Sequence, residues 1–170
     1  LPQFGGPASQ ALVRVSLADG TPDLPGAPVP VPGLGGQLQD HAVFGVPAEV
    51  TLALAWTETA GSYADGTPYA RRAPALAVAY PDGRPLEPTI LRSFRQAPAV
   101  FGLGLLEAIP DAALEAAADP DDRDGDGVSG RPNRVWDVDA GVVRIGRFGH
   151  KAGNPTLVQQ AAAAYANDMG

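Results

Sequence analysis

Proline and glycine interrupt this sequence so often that long regular elements have little room: 18 prolines and 21 glycines fall among 170 residues. Proline lacks the backbone N–H that a helix interior or a central strand needs, and glycine readily takes turn conformations. Much of the chain is therefore expected in turns and loops, with regular elements confined to the gaps. In those gaps the first signal is alternation. "LVRVSL" places Val13, Val15 and Leu17 on one face and Arg14 and Ser16 on the other. "EVTLALAWTET" does the same with Val50, Leu52, Leu54 and Trp56, and "PALAVAY" with Leu76, Val78 and Tyr80. Period two predicts half-buried strands facing a core. Asp65-Gly66 is the sharpest turn signal of the connection between the last two, and "PDG" at Pro81 to Gly83 closes the section. The segment "ADGTPDLPGAPVPVPGLGG" is a loop long enough to draw functional interest.

The second half changes character. "EPTILRSFR" predicts a short helix with Pro88 in its first turn, and "PDAALEAAA" a helix capped by Asp111. "RVWDVDAGVVRIGRF" predicts a hairpin turning between Asp139 and Gly141. In "NPTLVQQAAAAYANDMG" Thr156 and Gln159 have capping-box spacing, Gly170 fits a C-terminal stop, and Val158, Ala162, Tyr165 and Met169 share a face. The expected class is α+β. A β-rich section over 1–85, with antiparallel strands and long Pro/Gly loops, precedes 86–170, with short helices, an acidic loop, a hairpin and a C-terminal helix. The whole is read as one domain or as a fragment of a larger protein.

Charge and composition narrow the partners. The net charge of −7 disfavours nucleic acid and anionic membranes. No apolar run approaches the roughly 20 residues that span a bilayer. Cysteine is absent, which excludes disulfides, thiolate metal sites and covalent c-type haem attachment within this chain.

The acid is concentrated in "ADPDDRDGDGVSGRPN", which holds Asp119, Asp121, Asp122, Asp124 and Asp126. Asp122, Asp124, Asp126 and Gly127 reproduce the opening of an EF-hand calcium loop, D-x-D-x-D-G. Calcium takes six to eight oxygens, and a tightly wound loop can aim alternate side chains inward. The carbonyl of Val128 is the next expected ligand. Asn133 stands at the twelfth position, where an EF-hand has a bidentate glutamate, so Asp137 or Asp139 is a candidate to complete the shell. The other reading is a solvated acidic turn, with Arg123 and Arg131 supplying some neutralisation. Against it, unit charges roughly 5 Å apart repel by about 1 to 3 kcal/mol per pair.

The flanks of this loop carry a resemblance. "RQAPAVFGLGLLEAIPDAAL", "ADPDDRDGDGVSGRPNRVWDV" and "GRFGHKAGNPTLVQQAAAAYANDMG", in that order, resemble the di-haem oxidoreductases, a cytochrome-c-peroxidase-like family also labelled thiol oxidoreductases. "LGGQLQDHA" and "SYADGTPYA" resemble further segments of that family, from about Gly35 onward. The resemblance implies a periplasmic or secreted redox protein with c-type haems attached through C-x-x-C-H motifs. This chain contains no such motif, so it looks like the cysteine-free stretch between two attachments. The implied partner is the haem-bearing remainder of the same protein or a redox partner. The alternative is a haemless, calcium-binding extracellular structural or interaction module.

On that resemblance Arg95, Arg147, His150 and Met169 are candidates for the haem environment. Arginine pairs with propionates, and a thioether is a good sixth ligand. Each has a plainer reading: an ion pair for Arg95 and Arg147, a surface group for His150, core packing for Met169. Glu107, alone in an apolar run, either moves protons or caps and pairs. Gly102 and Gly104 let the backbone approach a helix or a flat cofactor. Catalysis by this chain alone is not expected, while its parent is expected to be a haem oxidoreductase.

Overall fold

The computed structural model describes residues 11–169, and the fold is α+β, β-rich with a few short helices. The chain divides into two compact units. One takes residues up to Gly20 with Val29–Ala97; the other takes Thr21–Pro28 and the chain from Pro98 onward. The expected stop at Gly170 lies outside the described residues.

The first unit contains β1 (Ala11–Leu17), β2 (Gln37–Leu38), β3 (Thr51–Ser62), β4 (Pro68–Ala79) and β5 (Ile90–Gln96). They pair as a three-stranded sheet, β2-β1-β5, and a two-stranded ribbon, β3-β4, all antiparallel. The alternation in the sequence selects the faces. Val13, Val15, Leu38, Val50, Val78 and Ile90 are buried in one cluster, with Leu52 and Leu76 packed partly against it. Burying a side chain of this size stabilises by about 1.5–3 kcal/mol. Trp56 is half-buried and meets the Phe94 ring edge-on, at 6.1 Å between centroids.

The segment expected as a helix from Glu87 to Arg95 is instead strand β5. It pairs along the length of β1, from Ala11↔Gln96 to Leu17↔Ile90. Ile90 and Phe94, four apart, satisfy helical spacing and also lie on one face of a strand. The open edge of β1 decides between the two, because pairing there satisfies seven residues of backbone. The ribbon β3-β4 extends beyond the segments read as strands, pairing from Thr51↔Ala79 out to Ser62↔Pro68. Its turn falls at Asp65-Gly66 as expected, where the Thr67 amide donates to Asp65 Oδ1 at 2.9 Å and Gly66 takes a positive φ of 83°.

The second unit contains α1 (Leu103–Glu107), α2 (Asp111–Ala116), β6 (Arg134–Asp137), β7 (Val142–Ile145) and α3 (Leu157–Met169). Helix α1 was not expected. The cap of α2 is Pro110, and Asp111 stands one residue later, in the first turn. At α3 the Thr156 hydroxyl accepts the Gln159 amide at 3.2 Å, one limb of the expected capping box. The Gln159 side chain turns to the hairpin instead. Its Nε2 donates to the Trp136 carbonyl and its Oε1 accepts the Val138 amide, both at 3.0 Å. The long Pro/Gly loop has a structural role here, since the Trp136 amide donates to the Pro25 carbonyl at 3.2 Å. Among the described residues no helix is long and apolar enough to cross a membrane.

Candidate functional site

The acidic loop is closed at its base by backbone. Asp119 and Gly130 exchange both amide hydrogen bonds at 3.0 Å, so residues 120–129 form a compact excursion. Inside it the carboxylates organise the main chain. Asp119 accepts the amides of Arg123 and Asp124, and Asp122 accepts that of Gly127 at 3.1 Å. Asp124 accepts from Asp126 at 3.3 Å, and Asp126 from Val128 at 2.7 Å. Asp122 adopts φ 51°, a left-handed conformation that aspartate tolerates better than most residues.

This winding gathers Asp119, Asp122 and Asp124, each offering one carboxylate oxygen, with the three atoms within 4.8 Å of one another. Oxygens bound to one calcium at 2.3–2.6 Å lie at most about 5.2 Å apart. The donor set therefore fits a hard cation. Asp119 was missed in the sequence because the D-x-D-x-D-G template begins at Asp122. The signal for it is its bridge to Gly130, which only the fold supplies. Asp126 is not in this group, and Val128 presents an exposed side chain. Asn133 lies at the exit of the loop, where its Nδ2 donates to the carbonyls of Lys151 and Ala152, both at 3.0 Å. Asp137 is buried and holds the hairpin turn, accepting the amides of Asp139 and Ala140 at 3.1 and 3.0 Å.

Asn133 thereby tethers the loop that carries His150. That loop is tight. Gly146 leaves no space for a Cβ, which would collide with the Ala152 carbonyl oxygen, and Ala152 itself sits at φ 46°. His150 is exposed near its tip.

Arg147 points the other way. Its Nη1 donates to the carbonyls of Leu106 at 3.1 Å and Glu107 at 3.3 Å, and to that of Ile109, while Nη2 pairs with Asp111. The guanidinium thus gathers carbonyls where α1 ends and α2 begins. Glu107 caps, its Oε1 accepting the Leu157 amide at the start of α3 at 2.8 Å. Arg95 lies in the other unit, on β5, with Nε donating to Ser93 Oγ at 3.2 Å. Met169 ends α3, and its side chain lies outside the described residues.

The shared face of α3 is exposed at Val158, Ala162 and Tyr165. Val158 is 79% exposed and Tyr165 64%. On α1, which contacts α3, Leu105 is 79% exposed, and Phe101 just before it is 85% exposed. An added Cβ at Gly102 or Gly104 meets nothing within 4 Å among the described residues.

A family model described as "di-haem oxidoreductase, putative peroxidase" matches residues 16–170. No curated protein and no solved structure matches the chain.

Proposed function

The chain belongs to the di-haem oxidoreductase family, and from that premise we propose that it is the cysteine-free portion of a periplasmic or secreted c-type di-haem protein with electron-transfer or peroxidase-like activity. The observation that carries this reading is the family match over 155 of the 170 residues (16 to 170) in a chain with no cysteine. Covalent attachment does not fit the residues present. The periphery of a haem does: the exposed apolar side chains of Phe101, Leu105, Val158 and Tyr165 offer the kind of surface a flat apolar group covers. Haem iron, when bound, supplies one-electron redox chemistry. This chain's part is to exclude water along α1 and α3. Arg147 is held by the ends of two helices.

In the same reading calcium sits in the acidic loop, held by Asp119, Asp122 and Asp124. Asn133 would pass the order of that loop to the His150 segment. The visible spectrum of the full-length protein tests the proposal. We expect c-type haem bands there and none in the 170-residue chain alone. A full-length protein without haem absorbance would refute the redox reading and leave the haemless calcium-binding module.

A further inference from the structure

The turn end of the β3-β4 ribbon carries two phenols that the redox reading does not use. The ladder ends at Ser62↔Pro68, and one step further the Tyr63 amide donates to the Thr67 carbonyl at 2.9 Å. Tyr69 pairs with Gly61. Residues two apart share a face, so Tyr63 and Tyr69 are diagonal neighbours on one side of the ribbon. Their ring centroids lie 4.8 Å apart, with the planes inclined at 56°.

Gly61 makes this contact. A Cβ there would stand 2.5 Å from Cζ of Tyr69 and 2.6 Å from its Cε2 and hydroxyl oxygen, so the ring lies across the bare glycine backbone. A larger residue opposite Tyr69 would lift that ring from its place. Covering a strand glycine is a packing role for one ring, and it needs no hydroxyl on either. Cε2 is an ortho carbon of the phenol, one of the positions where a tyrosyl radical carries its spin. Tyr63 is 62% exposed and Tyr69 half-buried, so an oxidant in solution reaches the pair and the phenolic protons can leave to water.

We propose that Tyr63 and Tyr69 are a site of oxidative cross-linking, joined as dityrosine by one-electron oxidants of the outer-sphere metal-complex class. Each phenol gives one electron to the oxidant and its proton to water, so two equivalents of oxidant are reduced. The two radicals form a carbon–carbon bond between ortho carbons. The hydrogen on each of those carbons then shifts to the oxygen of its ring, which restores both phenols, and the product has lost two hydrogens in all. Holding the rings together makes coupling within the chain faster than coupling between chains. The bond closes the ribbon at its turn, in a chain whose lack of cysteine leaves no disulfide to do so. The oxidant comes from solution, so the site does not depend on the proposed haem.

The test is photo-oxidation of the 170-residue chain with tris(bipyridyl)ruthenium(II) and persulfate. The monomer should lose the mass of two hydrogens and gain the blue fluorescence of dityrosine. Cleavage before aspartate separates Tyr63, in residues 40–64, from Tyr69, in residues 65–81, and the two peptides should remain joined. Tyr63→Phe and Tyr69→Phe should each abolish this monomeric product. Tyr80→Phe, which removes the other phenol of the second peptide, and Tyr165→Phe should leave it at the parent's yield. Gly61→Ala keeps all four tyrosines and should cut the yield about tenfold, since the added methyl displaces the Tyr69 ring. Circular dichroism and thermal melts check that each variant folds; if Gly61→Ala does not, the two phenylalanine variants decide. An unchanged yield in Tyr63→Phe, in Tyr69→Phe or in folded Gly61→Ala overturns the proposal. So does dityrosine found only in dimers, with a yield that rises with protein concentration.

Discussion

The carboxylate of Glu107 accepts the backbone amide of Leu157 at 2.8 Å across fifty positions of sequence. The last residue of α1 thereby caps the first turn of α3. Loss of a capping acceptor typically costs about 0.5–2 kcal/mol. Glu107→Ala should lower stability by that amount in urea denaturation, and Glu107→Gln, which keeps an acceptor, by clearly less. Equal losses would show that the bond contributes nothing.

Calcium should raise the melting temperature of the chain, because the folded state alone holds the three carboxylates together. At a hundredfold excess over the dissociation constant the gain is about 2.7 kcal/mol. Asp119→Ala and Asp124→Ala should each abolish most of the calorimetric heat. An unchanged heat in both would leave the loop as a solvated acidic turn.

Two glycines should respond in opposite directions. Gly146→Ala drives a methyl into the Ala152 carbonyl and should cost about 1–3 kcal/mol, as overpacking does. Gly104→Ala, inside α1 with open space around it, should stabilise by about 0.5–1 kcal/mol. Guanidinium or urea midpoints decide both.

The Tyr80 hydroxyl donates to Glu87 at 2.7 Å. This bond holds the Glu87 carboxyl below its ordinary value and the Tyr80 phenol above its own. The lowered carboxyl contributes stability that is present above its unfolded value and lost as pH falls through the folded one. The raised phenol contributes stability that is present below its unfolded value and lost as pH rises through the folded one. Tyr80→Phe should flatten both limbs of a stability–pH profile. A profile unchanged at the alkaline limb would sink the assignment.

Sequence and structure agree where one local rule governs. Val13, Val15, Val50 and Val78 alternate because one side of their strands is dry, and that pattern is written in adjacent residues. The turn at Asp65-Gly66 is equally local. β5 was misread because Ile90 and Phe94 fit two periods, and the deciding partner lies in β1, more than seventy positions earlier. Asp119 was missed for the same reason, since Gly130 brings it back to the loop. The family segments were legible as words, while the exposed Phe101, Leu105, Val158 and Tyr165 emerged only once the fold showed what fails to cover them.

The pairing of β1 with β5 also sets an order of events. The ribbon β3-β4 closes around a five-residue turn and can form in about 1–10 microseconds once nucleated. The β1–β5 ladder must first bring Leu17 to Ile90, and loop-closure entropy makes so distant a pairing slow. With the ribbon already folded, much of the intervening chain is condensed and the remaining search is shorter. Weakening the Asp65-Gly66 turn should therefore slow folding, whereas trimming Ile90 should chiefly hasten unfolding. The twelve paired positions of the ribbon would then act as a kinetic template for a sheet to which they do not belong.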